Sequence, residues 1–242
     1  MLEAGLWALL AASSLVLGAA AGLVLRLPRR IAALAIGFGA GALISALAFD
    51  LTAEAFAGGG AGSLVIGLAA GSITFFAGDQ LIHRRGGGRR GRRIRPAREE
   101  TGLPIVLGAL LDGIPESVVL ASTLIGGGQF GIAFFAAVLV SNFPEAFTAA
   151  VDLRREGHRP AWILRLWVGV AVASSLAAGI GYGLLEGMTP GAIPVIQAFA
   201  AGAILTMLVD TMIPEAYGEG GDTAGLATVL GFAAAFLISA TG

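Results

Sequence analysis

The sequence contains no cysteine and no lysine, and only 13% of its 242 residues are charged. Without cysteine, the chain cannot be a disulfide-stapled scaffold, a cysteine-ligated zinc finger or a thiol enzyme. Without lysine, it has no ATP-binding loop of the G-x-x-x-x-G-K-[ST] type. Hydrophobic residues make up 56% of the chain, and its mean hydropathy is +0.85. A soluble single-domain protein could not bury that much apolar surface, so the composition predicts an integral membrane protein.

Eight apolar runs are each long enough to cross a bilayer, which requires roughly 20 residues per helix. We predict an all-α integral membrane protein with a single transmembrane domain over residues 1–242. The predicted spans are 5–25, 31–57, 61–82, 102–124, 129–153, 160–185, 191–217 and 223–240. A membrane β-barrel would instead alternate apolar and polar residues along each segment, and these runs do not.

All fifteen basic residues are arginines, and they cluster after the first, third and fifth predicted spans, at 26–30, 84–98 and 154–165. Arginine is retained on the cytoplasmic side, so these connections, including the long loop 84–100, are predicted to be cytoplasmic. Both termini are then extracytoplasmic, in a multi-pass protein of the inner (plasma) membrane. We interpret the arginines as topology signals and predict no nucleic-acid partner. The start of the chain lacks a basic segment, so the first span is not expected to be a cleaved signal peptide.

The sequence repeats itself without gaps at an offset of 161 residues. Segments 38–60 and 199–221 are identical at nine of 23 positions, and segments 13–23 and 174–184 at six of eleven. The second and seventh spans are predicted to cross the membrane in opposite directions, so the repeat is inverted. Spans four and five form a smaller pair, since both carry an x-Pro-Glu motif. The predicted architecture is therefore 3+2+3, with helices 1–3 related to helices 6–8, a plan typical of alternating-access transporters.

The middle of spans four and five carries carboxylates beside proline. Span four reads Asp-Gly-Ile-Pro-Glu at 112–116, and span five reads Ser-Asn-Phe-Pro-Glu at 141–145. Residues four apart share a helix face, and each proline frees the carbonyl four residues before it. Three carboxylates at mid-membrane would cost about 8–10 kcal/mol together, and a bound divalent cation would offset this cost. The alternatives are protonated carboxyls that bind a proton or another solute, and a structural network with serine and asparagine.

The paired x-Pro-Glu motifs within a 3+2+3 plan resemble the ZIP family of divalent-metal transporters, over essentially the whole chain. The resemblance implies alternating-access import of Zn²⁺ or a similar ion (Mn²⁺, Fe²⁺). It also implies a metal site, whose predicted ligands are Asp112, Glu116, Ser141, Asn142 and Glu145. Glu116 and Glu145 match the family motif outright, whereas Asp112 stands where the family has histidine. Span six lacks the carboxylate that many members carry, which leaves open whether one or two metals bind. An all-oxygen ligand set suits Mn²⁺ better than Zn²⁺, so the metal stays open.

Five further acidic residues lie toward the ends of spans two, three and seven, and we predict that they line a cation pathway. They are Asp50, Glu54, Asp79, Asp210 and Glu215. The alternative is that these residues are hydrated or paired with arginine near the membrane surface. We predict no cofactor apart from the transported metal, with lipid as the surroundings and a homodimer left open. The rival functions are a metal-binding relative that does not transport, and a membrane enzyme. No H-E-x-x-H or G-x-S-x-G motif is present, so we do not expect an enzyme.

Overall fold

The computed structural model of the protein describes residues 1–84, 103–125, 131–189 and 191–241, without the side chains of 83–84 and 103–107. Most of the long arginine-rich loop therefore lies outside the described residues. So do the predicted starts of spans four and five, at Gly102 and Gln129. Within the described ranges the chain is helical and has no strand, which confirms the predicted all-α class.

Nine α-helices and two π-helical segments make up the described chain. The helices are α1 (Leu2–Val24), α2 (Arg29–Ala46), α3 (Thr52–Arg84), α4 (Leu103–Thr123), α5 (Ile132–Arg155), α6 (Pro160–Glu186), α7 (Ala192–Met207), α8 (Ile213–Gly220) and α9 (Thr223–Thr241). The π-helical segment Leu47–Leu51 joins α2 to α3, and the π-helical segment Leu208–Met212 joins α7 to α8. Six helical stretches within the described ranges are long and apolar enough to cross a membrane, as a multi-pass membrane protein requires.

The irregular points of the backbone recur at the offset of the sequence repeat. The two π-helical segments begin at Leu47 and Leu208, which are 161 residues apart. Gly60 and Gly221 are separated by the same interval and have φ angles of 70° and 60°. Their ψ angles of −179° and −151° place both in a region that only glycine adopts readily. The local structure therefore repeats as the sequence does, and Gly60 introduces a kink within α3.

Glycines allow close backbone contact in two helix pairs that the repeat relates to each other. Gly41 of α2 lies so close to the carbonyl of Thr228 in α9 that a Cβ there would overlap it. Its repeat mate Gly202 in α7 lies in the same way against the carbonyl of Leu68 in α3. Such close contacts stabilise helix pairs in lipid, where apolar burial itself provides little driving force. The pairs α2–α9 and α3–α7 are thus equivalent contacts of the repeat.

The interior is built mainly from small residues, while large apolar side chains lie outside. Most of the buried hydrophobic residues are alanines, such as Ala40 and Ala201. Leu6, Ile66 and Leu230 are among the many large apolar residues that are more than half exposed. A continuous apolar exterior would be a liability in water and is compatible with contact with lipid.

Contacts of Arg29 and Arg30 hold the connections after α1, α5 and α8 close together at one end of the molecule. Arg29, at the start of α2, pairs with Asp152 near the end of α5 at 3.3 Å and with Glu219 in α8 at 3.0 Å. Arg30 donates a hydrogen bond to the hydroxyl of Thr223 at the start of α9. The connection at 218–222 has no arginine of its own, yet it lies at the same end as the connections after α1 and α5.

Candidate functional site

The proline-containing motifs of α4 and α5 meet at one small, partly open cavity. Asp112 and Glu116 of α4 and Asn142 and Glu145 of α5 all line it. The cavity offers about 20 Å³ to the centre of a water-sized sphere. A volume of about 10–15 Å³ on this measure holds one water molecule, so the cavity has room for one water or one small ion. The structure thus brings together four of the five predicted ligands.

The polar side chains of this cavity face an apolar wall. Helix α1 contributes only Ala8, Ala11, Ala12 and Leu15. Among the described residues, the polar groups of the cavity belong to α4, α5 and α6. The apolar wall offers no partner to a charged group, so charge in this cavity depends on the polar groups of the other helices or on a bound cation.

Glu116 is the most enclosed carboxylate of the cavity, with 4% of its surface exposed, and Glu145 is 9% exposed. The side-chain amide of Asn142 lies beside the Glu116 carboxylate. The carboxylates of Asp112 and Glu145 lie close enough to Glu116 to interact with it electrostatically. Like charges gathered in a buried place repel one another, and a cation between them would reverse this effect. The arrangement has the chemistry of a cation site built from oxygen atoms.

Ser141 lies outside this cavity, although it neighbours Asn142. Its hydroxyl donates to the Val138 carbonyl at 3.1 Å, and its backbone packs against Gly39 of α2. The residues of α5 that line the cavity are Val138, Asn142 and Glu145, which follow the i, i+4, i+7 pattern of one helix face. The structure therefore turns Ser141 toward α2, and its predicted role as a ligand gains no support from the geometry.

Ser174 of α6 lines the cavity and did not emerge from the sequence. It is 4% exposed, and its Oγ has no hydrogen-bond partner. An unpaired buried hydroxyl costs about 1–3 kcal/mol, so this one needs an explanation. The only sequence signal was its place in the repeat as the equivalent of Ser13, because an uncharged serine does not stand out in an apolar span.

A second, larger cavity holds two of the predicted pathway residues. It measures about 400 Å³ on the same basis, and Asp50 and Glu54 both line it. Asp50 accepts a hydrogen bond of 2.6 Å from Ser239 of α9, and Glu54 accepts one of 3.1 Å from Gln197 of α7. These two hydrogen bonds come from different helices and fix both carboxyl groups at the wall of this cavity, where they would favour a cation.

Apolar side chains lie between the two cavities. Leu120 and Val138 line the small cavity, whereas Val119 and Phe134 line the large one. All four residues belong to one buried apolar cluster. An ion passing from the large cavity to the small one would have to displace this cluster.

The other three predicted pathway residues line neither of these cavities. Asp210 lies in the second π-helical segment and is exposed, while Asp79 and Glu215 are half-buried. Their role in a pathway stays a prediction.

Metal-ligating side chains do not form a preformed cage in the described parts of the chain. No group of three or more His, Cys, Asp or Glu residues there has the spacing of a metal site. The donors around the small cavity would instead combine carboxylates with the neutral oxygens of Asn142 and Ser174. Oxygen-only sets of this kind suit Mg²⁺, Ca²⁺ and Mn²⁺ best.

No family model matches the chain, and no curated protein matches it in sequence. The likeness to the ZIP family stays a resemblance of motifs in α4 and α5.

Proposed function

We propose that the chain is a ZIP-like transporter that carries a divalent cation (Zn²⁺, Mn²⁺ or Fe²⁺) into the cytoplasm by alternating access. The observation that carries the proposal is the meeting of Asp112, Glu116 and Glu145 at one small cavity. The ion is the substrate of the protein, and the cavity is its binding site midway along the path.

The membrane arrangement belongs to the same proposal: eight spans in 3+2+3 order, with an inverted repeat. The stretch Arg29–Ile82 is 54 residues long, which at 1.5 Å per residue is about 80 Å of helix. A bilayer core of about 30 Å accommodates less than half of this length, so the kink at Gly60 divides the stretch into two spans. Together with α4 and the other five stretches, this gives eight. The equivalent π-helical segments and glycine contacts of the two repeats support this count.

Energetics favour a cation as the partner of these carboxylates. Each ionised group near the middle of a membrane helix costs about 2.5–3.5 kcal/mol. Asp112, Glu116 and Glu145 lie close enough to interact electrostatically, and a divalent cation among them would turn this repulsion into attraction. A divalent ion would draw the carboxylates of α4 and α5 inward and complete a site that is not preformed.

Alternating access assigns a role to the large cavity. Asp50 and Glu54 would attract the ion at one side of the membrane. A shift of the apolar cluster around Leu120 and Phe134 would then let it reach the small cavity. Release to the other side would follow once the opposite end opens, driven by the ion gradient.

Uptake by proteoliposomes tests the proposal. We expect wild-type protein to accumulate at least one of Zn²⁺, Mn²⁺, Fe²⁺ and Cd²⁺. The Glu116→Gln and Glu145→Gln variants should fall to the level of empty liposomes, because they keep the side-chain shape and lose the charge. Ser141→Ala is the matched control, since Ser141 lies beside the motif and outside the cavity, and it should transport at near the wild-type rate.

Two outcomes would contradict the proposal. Wild-type uptake by Glu116→Gln would remove the central assignment. Metal binding by the wild type without any flux would instead favour the metal-binding relative that does not transport.

A further inference from the structure

Ser174 is the only polar side chain that α6 contributes to the small cavity. Among the described residues that line this cavity, its Oγ is the one buried side-chain polar atom without a hydrogen-bond partner. Ser117, by contrast, also lines the cavity, but its hydroxyl donates to the Gly113 carbonyl at 2.6 Å. The Ser174 hydroxyl is therefore available to coordinate an ion or bind a molecule in the cavity.

Gly113 of α4 provides the room for this hydroxyl. A Cβ placed on Gly113 would lie 2.8 Å from the Ser174 Oγ, closer than van der Waals contact allows. Serine at 174 would then have to turn out of its present position. Glycine at 113 and serine at 174 thus form a matched pair, and any side chain at 113 would compete with the hydroxyl for the same space.

We propose that Ser174 is a ligand of the transported cation and that it completes a single-ion, all-oxygen site drawn from α4, α5 and α6. The inference rests on the proposed function and deepens it. A serine hydroxyl is a neutral hard donor of the kind that coordinates Mg²⁺ in phosphate-binding loops. Because α6 adds a ligand without adding charge, the small cavity holds one divalent ion, and hard ions such as Mn²⁺ are preferred over soft ones.

The absence of cysteine from the chain makes the test direct. In the Ser174→Cys variant the only thiol of the protein would stand at the proposed ligand position. We expect addition of Cd²⁺ to the purified variant to produce the ultraviolet charge-transfer absorption of a cadmium thiolate, saturating at one ion per chain. Cd²⁺ should also protect this thiol from alkylation. The isosteric change is mild, and gel filtration verifies that the variant remains folded.

Ser175→Cys is the matched control on the same helix. The Ser175 hydroxyl donates to the Gly5 carbonyl of α1 at 2.8 Å and does not line the cavity. This variant should show no thiolate absorption with Cd²⁺ and no protection from alkylation.

Affinity measurements give a second, independent readout. Ser174→Ala should weaken Mn²⁺ binding by about tenfold, in the range typical of lost groups around a metal site. Gly113→Ala should weaken it as well, by displacing the hydroxyl. The double variant should bind no more weakly than Ser174→Ala, since both changes remove the same contact.

The outcomes separate this inference from the proposed function. If the wild type binds neither Mn²⁺ nor Cd²⁺, the proposed function fails, and the inference fails with it. If the wild type binds and Glu116→Gln does not, while Ser174→Cys binds Cd²⁺ without thiolate absorption and Ser174→Ala keeps wild-type affinity, only the inference is overturned.

Discussion

Ser141 and Asn142 are neighbours in α5, and the sequence predicted both as metal ligands. In the structure only Asn142 lines the small cavity. Ser141 and Glu145 are four positions apart, which corresponds to a 40° offset around the helix at 100° per residue. Asn142 and Glu145 are offset by 60° in the other direction, so spacing alone does not decide which of the two serves the cavity. The contact between Ser141 and Gly39 shows that Ser141 faces α2 and not the cavity, because α2 occupies that side of α5.

Alanine substitution of these two residues tests the assignment. Asn142→Ala should lower the affinity for the transported ion about tenfold or more, since it removes a neutral oxygen of the cavity that lies beside Glu116. Ser141→Ala should change the affinity by less than about twofold, because its hydroxyl only bonds back to its own helix. Isothermal titration with Mn²⁺ measures both, and the reverse order of effects would contradict the assignment.

The carboxylates of the site could be predicted from sequence, whereas Ser174 could not. Charged residues stand out in an apolar span, because their cost in the membrane demands a function. Serine is common in membrane helices and usually bonds to a carbonyl of the preceding turn, as Ser141 does. Only the tertiary structure shows that the Ser174 hydroxyl lacks such a bond.

At the scale of helices, the π-helical segments are the feature that the sequence did not predict. The residues Leu47–Leu51 include neither glycine nor proline, so no local signal marks the change of helix type. Pro214 follows the second π-helical segment, but the repeat mate of Pro214 is Ala53, so proline is not required for it. The two segments stand at equivalent positions of the repeat, and such turns are frequent at functional sites. In this chain they carry Asp50 and Asp210.

The glycines that follow these elements are predicted to be required for stability. Gly60→Ala and Gly221→Ala should each lower the free energy of unfolding by about 1–3 kcal/mol, because both positions have backbone angles that only glycine adopts readily. Gly225→Ala is the control, since Gly225 lies within α9 with open space around it. It should be neutral or stabilising by up to about 1 kcal/mol, as expected for alanine replacing glycine in a helix.

Thermal unfolding of the purified variants in detergent measures these differences. Equal stability of the Gly60→Ala and Gly225→Ala variants would show that the kink in α3 does not depend on glycine.

At the scale of the whole molecule, hydropathy predicted the all-helical class, but it did not identify which helices contact one another. The predicted first span, 5–25, lies within a few residues of α1, because apolar runs and helices share the same ends. The contacts of α2 with α9 and of α3 with α7 depend on where glycines meet carbonyls across the fold. The repeat implied that such contacts come in equivalent pairs, without showing which helices make them.

The predicted topology is testable with single cysteines in this cysteine-free chain. Glu156→Cys and Asp222→Cys should react with an impermeant maleimide from the cytoplasmic side, since Arg29 holds both connections at one end. Met188→Cys, beyond the far end of α6, should react from the opposite side. Labelling of Asp222→Cys from the same side as Met188→Cys would contradict the predicted topology. It would do so at the one predicted cytoplasmic connection that has no arginine of its own.

The central claim is that one divalent cation joins the carboxylates of α4 and α5 inside the protein. Anomalous diffraction from crystals grown with Mn²⁺ tests it most directly. We expect one strong anomalous peak within coordination distance of both Glu116 and Glu145. This peak should be absent from crystals of the Glu116→Gln variant. A structure that binds Mn²⁺ only beside Asp50 and Glu54, or that shows Glu116 and Glu145 closed around each other with no ion, would contradict it.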